Sequence, residues 1–220
     1  MPPTQKVRIW DVPTRLFHWV LVVLVFLCWL TQAKGWMELH YLSGEAILAL
    51  VLFRIVWGFA GSEPSRFLFF LKSPLAALHH LKDLRKREPD TELGHNAAGG
   101  WMALGLLGLL LVQVGTGLFS NDDASFVEGP WRHLVSKGVS DQLSKLHEVG
   151  FDLIEVAVVL HVAAIMVYLV LKGHNLVWPM IVGSKNIEGP IMAPSMVSPL
   201  RAVAILIVTA AMVAALMRYL

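Results

Sequence analysis

The sequence predicts an all-α integral membrane protein with five transmembrane helices. Two observations carry that prediction. Hydrophobic residues make up 56% of the 220 residues and charged residues 15%, against about 25% charged in an ordinary soluble domain. The charges fall between long uncharged runs, as they do in a chain that crosses a bilayer repeatedly. Eight tryptophans suit a protein with two membrane–water interfaces.

A helix needs about 20 mostly apolar residues to cross the hydrocarbon core. Five segments qualify, at about 16–33, 39–59, 97–119, 146–171 and 199–217. The second is interrupted by Glu45 and Arg54, the third carries no charge, and the fourth is acidic only in its first half. The first span follows basic residues, as a secretion signal would, but lacks a small-x-small cleavage site and is followed by further spans; it reads as a retained span. The single cysteine, Cys28, excludes an internal disulfide, and the absence of CxxC and CxxCH motifs excludes covalently attached c-type haem.

Lysine and arginine set orientation. The side holding the N-terminus, the loop from Gly61 to Gly94 and the segment before the fifth span carries twelve, and the opposite side five. The N-terminus is therefore expected in the cytoplasm and the C-terminus outside. From Ser73-Pro74 to Arg87, Leu75, Leu78, Leu81 and Leu84 recur at helical spacing with a basic end, which suits a helix lying on the membrane face. The loop from Ser120 to Lys145 could cap the bundle or meet a partner. Nothing in the chain calls for nucleic acid.

Nine histidines need a reason, because ionisable groups inside a membrane are costly. His161 sits in VVLHVAAIM, with no charge from Val156 to Leu171. His147 precedes it by fourteen residues. On a helix the two fall about 40° apart in azimuth and about 21 Å apart along the axis. One face thus presents imidazoles at two depths, as two haems stacked across a membrane require. A metal site would instead gather its ligands within about 2 Å of one ion.

Second axial ligands come from other spans. His18 opens the first span and His40 the second, so depth pairs His18 with His161 and His40 with His147. The fold class becomes a four-helix haem-binding transmembrane bundle plus a fifth C-terminal transmembrane helix. Residues 1–185 form the di-haem cytochrome b domain and 186–220 a C-terminal segment. Imidazole on both faces of the iron leaves no open coordination position, so such a haem carries electrons.

Arg54 lies fourteen residues after His40. An arginine inside a span wants an anion, and a haem propionate would accept its guanidinium bidentately. Gly44 and Gly150 lie within a turn of His40 and His147 and would leave room for a porphyrin plane; ordinary helix packing is the competing account. His95, in GHNAAGG, reads either as a locally bonded helix-start residue or as the candidate for a quinone site. Glu148, Asp152 and Glu155 are candidates for bonds to histidine Nδ1 or for interhelical pairing. His79 and His80 lie in the basic amphipathic stretch and read as solvated; His133 and His174 read as loop residues.

These residues carry a resemblance. WDVPTRLFHW, LHYLSG, FRIVWGF, LGHNAAGGWM and LHEVGFDLIEVAVVLHVAA, in order and on successive spans, resemble the bacterial cytochrome b-561 / nickel–iron hydrogenase b-type cytochrome subunit family over roughly Lys6 to Lys185. The resemblance implies two non-covalent b haems in the bacterial inner membrane. It implies His18, His40, His147 and His161 as the iron ligands. It also implies electron transfer between quinone and a redox partner, a c-type cytochrome or an oxidoreductase subunit, with direct quinol oxidation or quinone reduction as the catalytic variant. The alternative is a haem-free transporter or assembly subunit that passes metal ions through its histidines. That alternative wants clustered ligands, whereas these separate into two levels.

Overall fold

The computed structural model describes Thr4–Lys82, Lys86 and Pro89–Tyr219. Five helices are long and apolar enough to cross a membrane: α1 (Val12–Ala33), α2 (Met37–Ala60), α5 (Ala97–Gly117), α6 (Lys137–Val167, continued as a π-helical turn, Tyr168–Lys172) and α8 (Pro199–Tyr219). Shorter helices α3 (Phe67–Phe70), α4 (Pro74–Lys82) and α7 (Val177–Val182) join them. Helix α6 begins nine residues before the apolar run starting at Leu146. Hydropathy marks the part of a helix that suits lipid, and Lys137–Lys145 is the polar extension of the same helix.

Local chemistry explains the helix ends. Asp11 caps α1: its Oδ1 accepts the Thr14 amide at 2.8 Å, and Pro13 sits in the first turn, where no amide hydrogen is needed. Between α1 and α2 only Lys34, Gly35 and Trp36 intervene. Gly35 takes φ 70°, the left-handed conformation that ends a helix cheaply only at glycine. The Trp36 amide then closes onto the Thr31 carbonyl at 2.8 Å. Such a short connection makes α1 and α2 antiparallel neighbours.

The contacts divide into two units, and each long helix contributes a segment to both. The first unit comprises residues 1–17, 54–105 and 158–203. In it, β1 (Thr4–Arg8) pairs antiparallel with β4 (Ser184–Glu188), Val7 opposite Lys185. That sheet covers a core of Val7, Ile9, Trp10 and Ile187, and the pairing holds the N-terminal strand beside the segment before α8. The fully buried Trp57 donates to Asp11 Oδ2 at 3.2 Å. The chain leading to α8 is tied down by Ser195 N to Glu63 Oε2 at 2.8 Å and Val197 N to Ser62 Oγ at 3.0 Å.

The second unit comprises residues 18–53, 106–157 and 204–220. Its core joins Leu48, Ala49, Leu118 and Val213, with Phe119, Trp131 and Met217 packed against them. A small hairpin, β2 (Asn121–Asp122) with β3 (Val127–Glu128), is fixed by Ser140 Oγ to Phe119 O at 2.7 Å, Ser144 Oγ to Asn121 O at 3.0 Å and Tyr41 Oη to Glu128 O at 3.0 Å. The stretch from Ser73 is helical as far as Lys82. Its continuation through Leu84, Arg85 and Arg87 lies outside the described residues, as does the side chain of Leu81.

Candidate functional site

His40 stands in the first turn of α2, and His147 ten residues into α6. The structure brings them together, with ring centroids 6.4 Å apart and planes nearly perpendicular at 82°. Each Nδ1 meets a main-chain carbonyl, His40 that of Cys28 at 3.0 Å and His147 that of Gln113 at 2.8 Å. A carbonyl only accepts, so both Nδ1 atoms carry the proton and both Nε2 atoms keep a free lone pair. This is how proteins prepare imidazoles for a metal. Two imidazoles on opposite sides of one metal, each nitrogen about 2.0–2.1 Å from it, have centroids roughly 6.3 Å apart. The observed separation matches that value.

Glycines frame the pair. A Cβ added at Gly44 would meet nothing within 4 Å, and the same holds at Gly108 and Gly115 of α5. At Gly117 a Cβ would lie 2.7 Å from His147 Cε1, so this glycine lets α5 accept the imidazole against its backbone. At Gly150 it would lie 2.4 Å from Gln113 Oε1, so Gly150 admits the Gln113 amide. Sequence reasoning missed Gly117 and Gln113; the glycine density of QVGTG at the end of the third span was the available signal. Glu148, Asp152 and Glu155 are exposed. At His147 Nδ1 bonds the Gln113 main-chain carbonyl and not one of these carboxylates.

Within the first unit, Arg54 is 6% exposed. Its guanidinium lies 5.2 Å from the Phe67 ring centre and 5.9 Å from that of Phe70. Its Nη1 has no hydrogen-bond acceptor among the described residues. His95 is held between Trp10, at 4.8 Å, and Phe70, at 4.6 Å. His161 is half-buried in α6. His18, in the second unit, is half-buried with its ring edge-on to Trp19 at 4.9 Å. His79 and His133 are exposed. His80, read from sequence as a solvated residue of the amphipathic stretch, bonds Tyr168 Oη at 2.5 Å.

The residues of the second unit fit haem b on two counts: paired imidazoles at metal-sandwich separation and open space over Gly44; the first unit separately holds a buried guanidinium atom lacking an acceptor among the described residues. Long apolar helices carrying such a pair define a class, the membrane b-type cytochromes, which bind haem b and transfer electrons. The chain belongs to the prokaryotic cytochrome b561 family, whose model matches residues 9–183. It is similar to the probable Ni/Fe-hydrogenase 1 B-type cytochrome subunit of Escherichia coli strain K12, with 23% identity over 70% of this chain and 80% of the relative. It is also similar to the probable Ni/Fe-hydrogenase B-type cytochrome subunit of Bradyrhizobium diazoefficiens, with 22% identity over 82% of this chain and 86% of the relative. No solved structure matches.

Proposed function

We propose that this chain binds two haem b groups and passes electrons across the bacterial inner membrane between the quinone pool and a redox partner. The observation that carries the reading is the His40–His147 pair, 6.4 Å apart with both Nδ1 atoms bonded to main-chain carbonyls. Haem b held between two imidazoles supplies a one-electron carrier with no open position for oxygen. The Cys28 and Gln113 carbonyls hold the two tautomers, and Gly44 leaves the space beside them. His18 and His161 are the second pair, proposed from their depth on the spans. Arg54 supplies the cation for a propionate, and His95, held between aromatic rings, is the residue proposed to meet quinone.

The names of the relatives favour an oxidoreductase of the nickel–iron hydrogenase kind as the partner over a c-type cytochrome. The side holding the N-terminus is the cytoplasmic one by its excess of lysine and arginine. The test is a pyridine haemochrome count and a reduced-minus-oxidised spectrum on the purified protein, with His161→Ala and His40→Ala beside it. Two b haems, with one lost in each variant, support the reading. One haem lost only in His161→Ala removes the His40–His147 site. A folded, inserted protein without haem, expressed with haem supplied, overturns the whole reading.

A further inference from the structure

Helix α4 is amphipathic, yet Leu75 and Leu78 do not face the protein. Its start is fixed by Ser73 Oγ accepting the Ala76 amide at 3.2 Å, with Pro74 as first residue. Ala77 is 9% exposed and faces inward, and His80 reaches Tyr168. Leu75 and Leu78 are 61% and 57% exposed, and Leu68, just before the helix, is 90% exposed. Leu75, Leu78, His79 and Lys82 share one exposed face, because three- and four-residue steps return to the same side of a helix. The inward side thus carries a small residue and a hydrogen-bonded histidine, while the large apolar side chains Leu75 and Leu78 face away. In water this arrangement is unfavourable; against a lipid surface it is the stable one.

Charge and depth identify what covers this face. Lys72, His79 and Lys82 are exposed beside the leucines, and neither lysine makes an ion pair among the described residues. Asp90, further along the same loop, is engaged by Lys185. Trp101, in the first turn of α5 and 40% exposed, donates its indole N–H to the Lys72 carbonyl at 3.0 Å. Tryptophans of this kind settle at the level of the lipid headgroups, and the bond holds Lys72 at that level. Leucines that can enter the acyl boundary and ammonium groups at headgroup depth are the recognition chemistry of an anionic phospholipid.

We propose that Leu68–Lys82 forms a binding site for anionic phospholipid headgroups. Lys72 and Lys82 contact the phosphate, and Leu68, Leu75 and Leu78 seat among the acyl chains. The site stands apart from the haem ligands but is tied to the helix carrying one of them, since Tyr168, the partner of His80, lies seven residues after His161 on α6.

The test uses the full-length, haem-loaded protein with Leu78→Cys in a Cys28→Ser background, carrying a polarity-sensitive fluorophore. It is reconstituted into vesicles of phosphatidylcholine alone or with phosphatidylglycerol. The expected result is a blue-shifted label, quenched by brominated lipid, when phosphatidylglycerol is present. Lys72→Gln with Lys82→Gln should lower the seated fraction about fivefold per lysine, with the haem spectrum unchanged as the control for folding. A label indifferent to phosphatidylglycerol overturns the proposal, as does an unchanged lipid dependence in the double variant. Equal protection by soluble glycerol phosphate would assign the site to free phosphate and overturn it. Protection found only in native membranes, and lost when salt strips peripheral proteins, would assign the face to a protein and also overturn it.

Discussion

In the unit that holds His40 and His147, the imidazoles answer to main-chain carbonyls. In the other unit, Arg54 and His95 lie against aromatic rings. A carbonyl fixes which nitrogen is protonated and aims the other, so the first arrangement is ready for a metal. A ring face offers a cation only a weak quadrupole, worth about 2 kcal/mol when desolvated, so Arg54 beside Phe67 and Phe70 still lacks a full counter-charge. Asp11 lies near enough to act on it electrostatically, but that carboxylate already accepts from Thr14 and Trp57. The difference is between imidazoles aimed by a fixed hydrogen bond and a cation left short of an anion.

The largest effect that would break this comparison is on coordination. His147→Ala should remove one b haem and leave the other, because no second imidazole faces His40 among the described residues. A haemochrome count and low-temperature α-band spectra would read it. Loss of both haems, with the protein still folded, would mean that the two haem sites are not independent.

Gly117 sharpens the same point. Gly117→Ala places a Cβ 3.0 Å from His147 Nδ1 and 2.7 Å from Cε1, so the ring must move and the bond to the Gln113 carbonyl weakens. Losing such an outer partner typically costs about 10–100-fold in affinity for the bound group, measurable by haem titration of the apo-protein. Gly44→Ala, whose new methyl meets no protein atom within 4 Å, should leave the fold unchanged but lower haem affinity, because the methyl enters the space proposed for the porphyrin.

The comparison also marks how far sequence reaches. That His40 and His147 meet at one depth was legible, because span boundaries fix depth and a fourteen-residue step preserves the helix face. Their carbonyl acceptors were not, because Cys28 and Gln113 act through backbone atoms that every residue has. Arg54 was legible as a charge needing an anion; the two phenylalanines against it come from α3, a four-residue helix too short to carry a periodicity. The β1–β4 ladder was invisible for a different reason. TQKVR and SKNIE show no strong alternation, and each becomes a strand only because the other is present. Helix α6 starts at Lys137 because Ser140 and Ser144 bond the β2–β3 hairpin, a tertiary cause that hydropathy does not record.

On the neutralising side, Arg54→Gln should lower the midpoint potential of one haem by about 60 mV, a tenfold change in a one-electron equilibrium. The sign follows from charge: a nearby cation favours the reduced, less positive iron, and removing it favours the oxidised form. Potentiometric titration of the α-band would read the shift. An unchanged potential for both haems would mean that Asp11, and not a propionate, is the partner of Arg54.

The smallest expected effect lies in the outer hairpin. Lys137 bonds Asp123, and that hydrogen bond, with the lysine's charge, holds the Asp123 carboxyl below its usual value. A depressed carboxylate pKa contributes stability above the unfolded value, about 3.9 for aspartate, and that contribution disappears as pH falls through the folded value. Asp123 is fully exposed, so the contribution is small and screened by salt. Amide exchange of residues 121–128 should therefore be flat from neutral pH down to about 4, once corrected for intrinsic rates, and rise below it. Asp123→Asn should remove that rise at low salt while leaving both haem spectra unchanged. A haem spectrum that followed the Asp123 titration would instead couple the hairpin to His40 through the Tyr41–Glu128 bond, and the coordinating unit would then be less self-contained than its carbonyl bonds suggest.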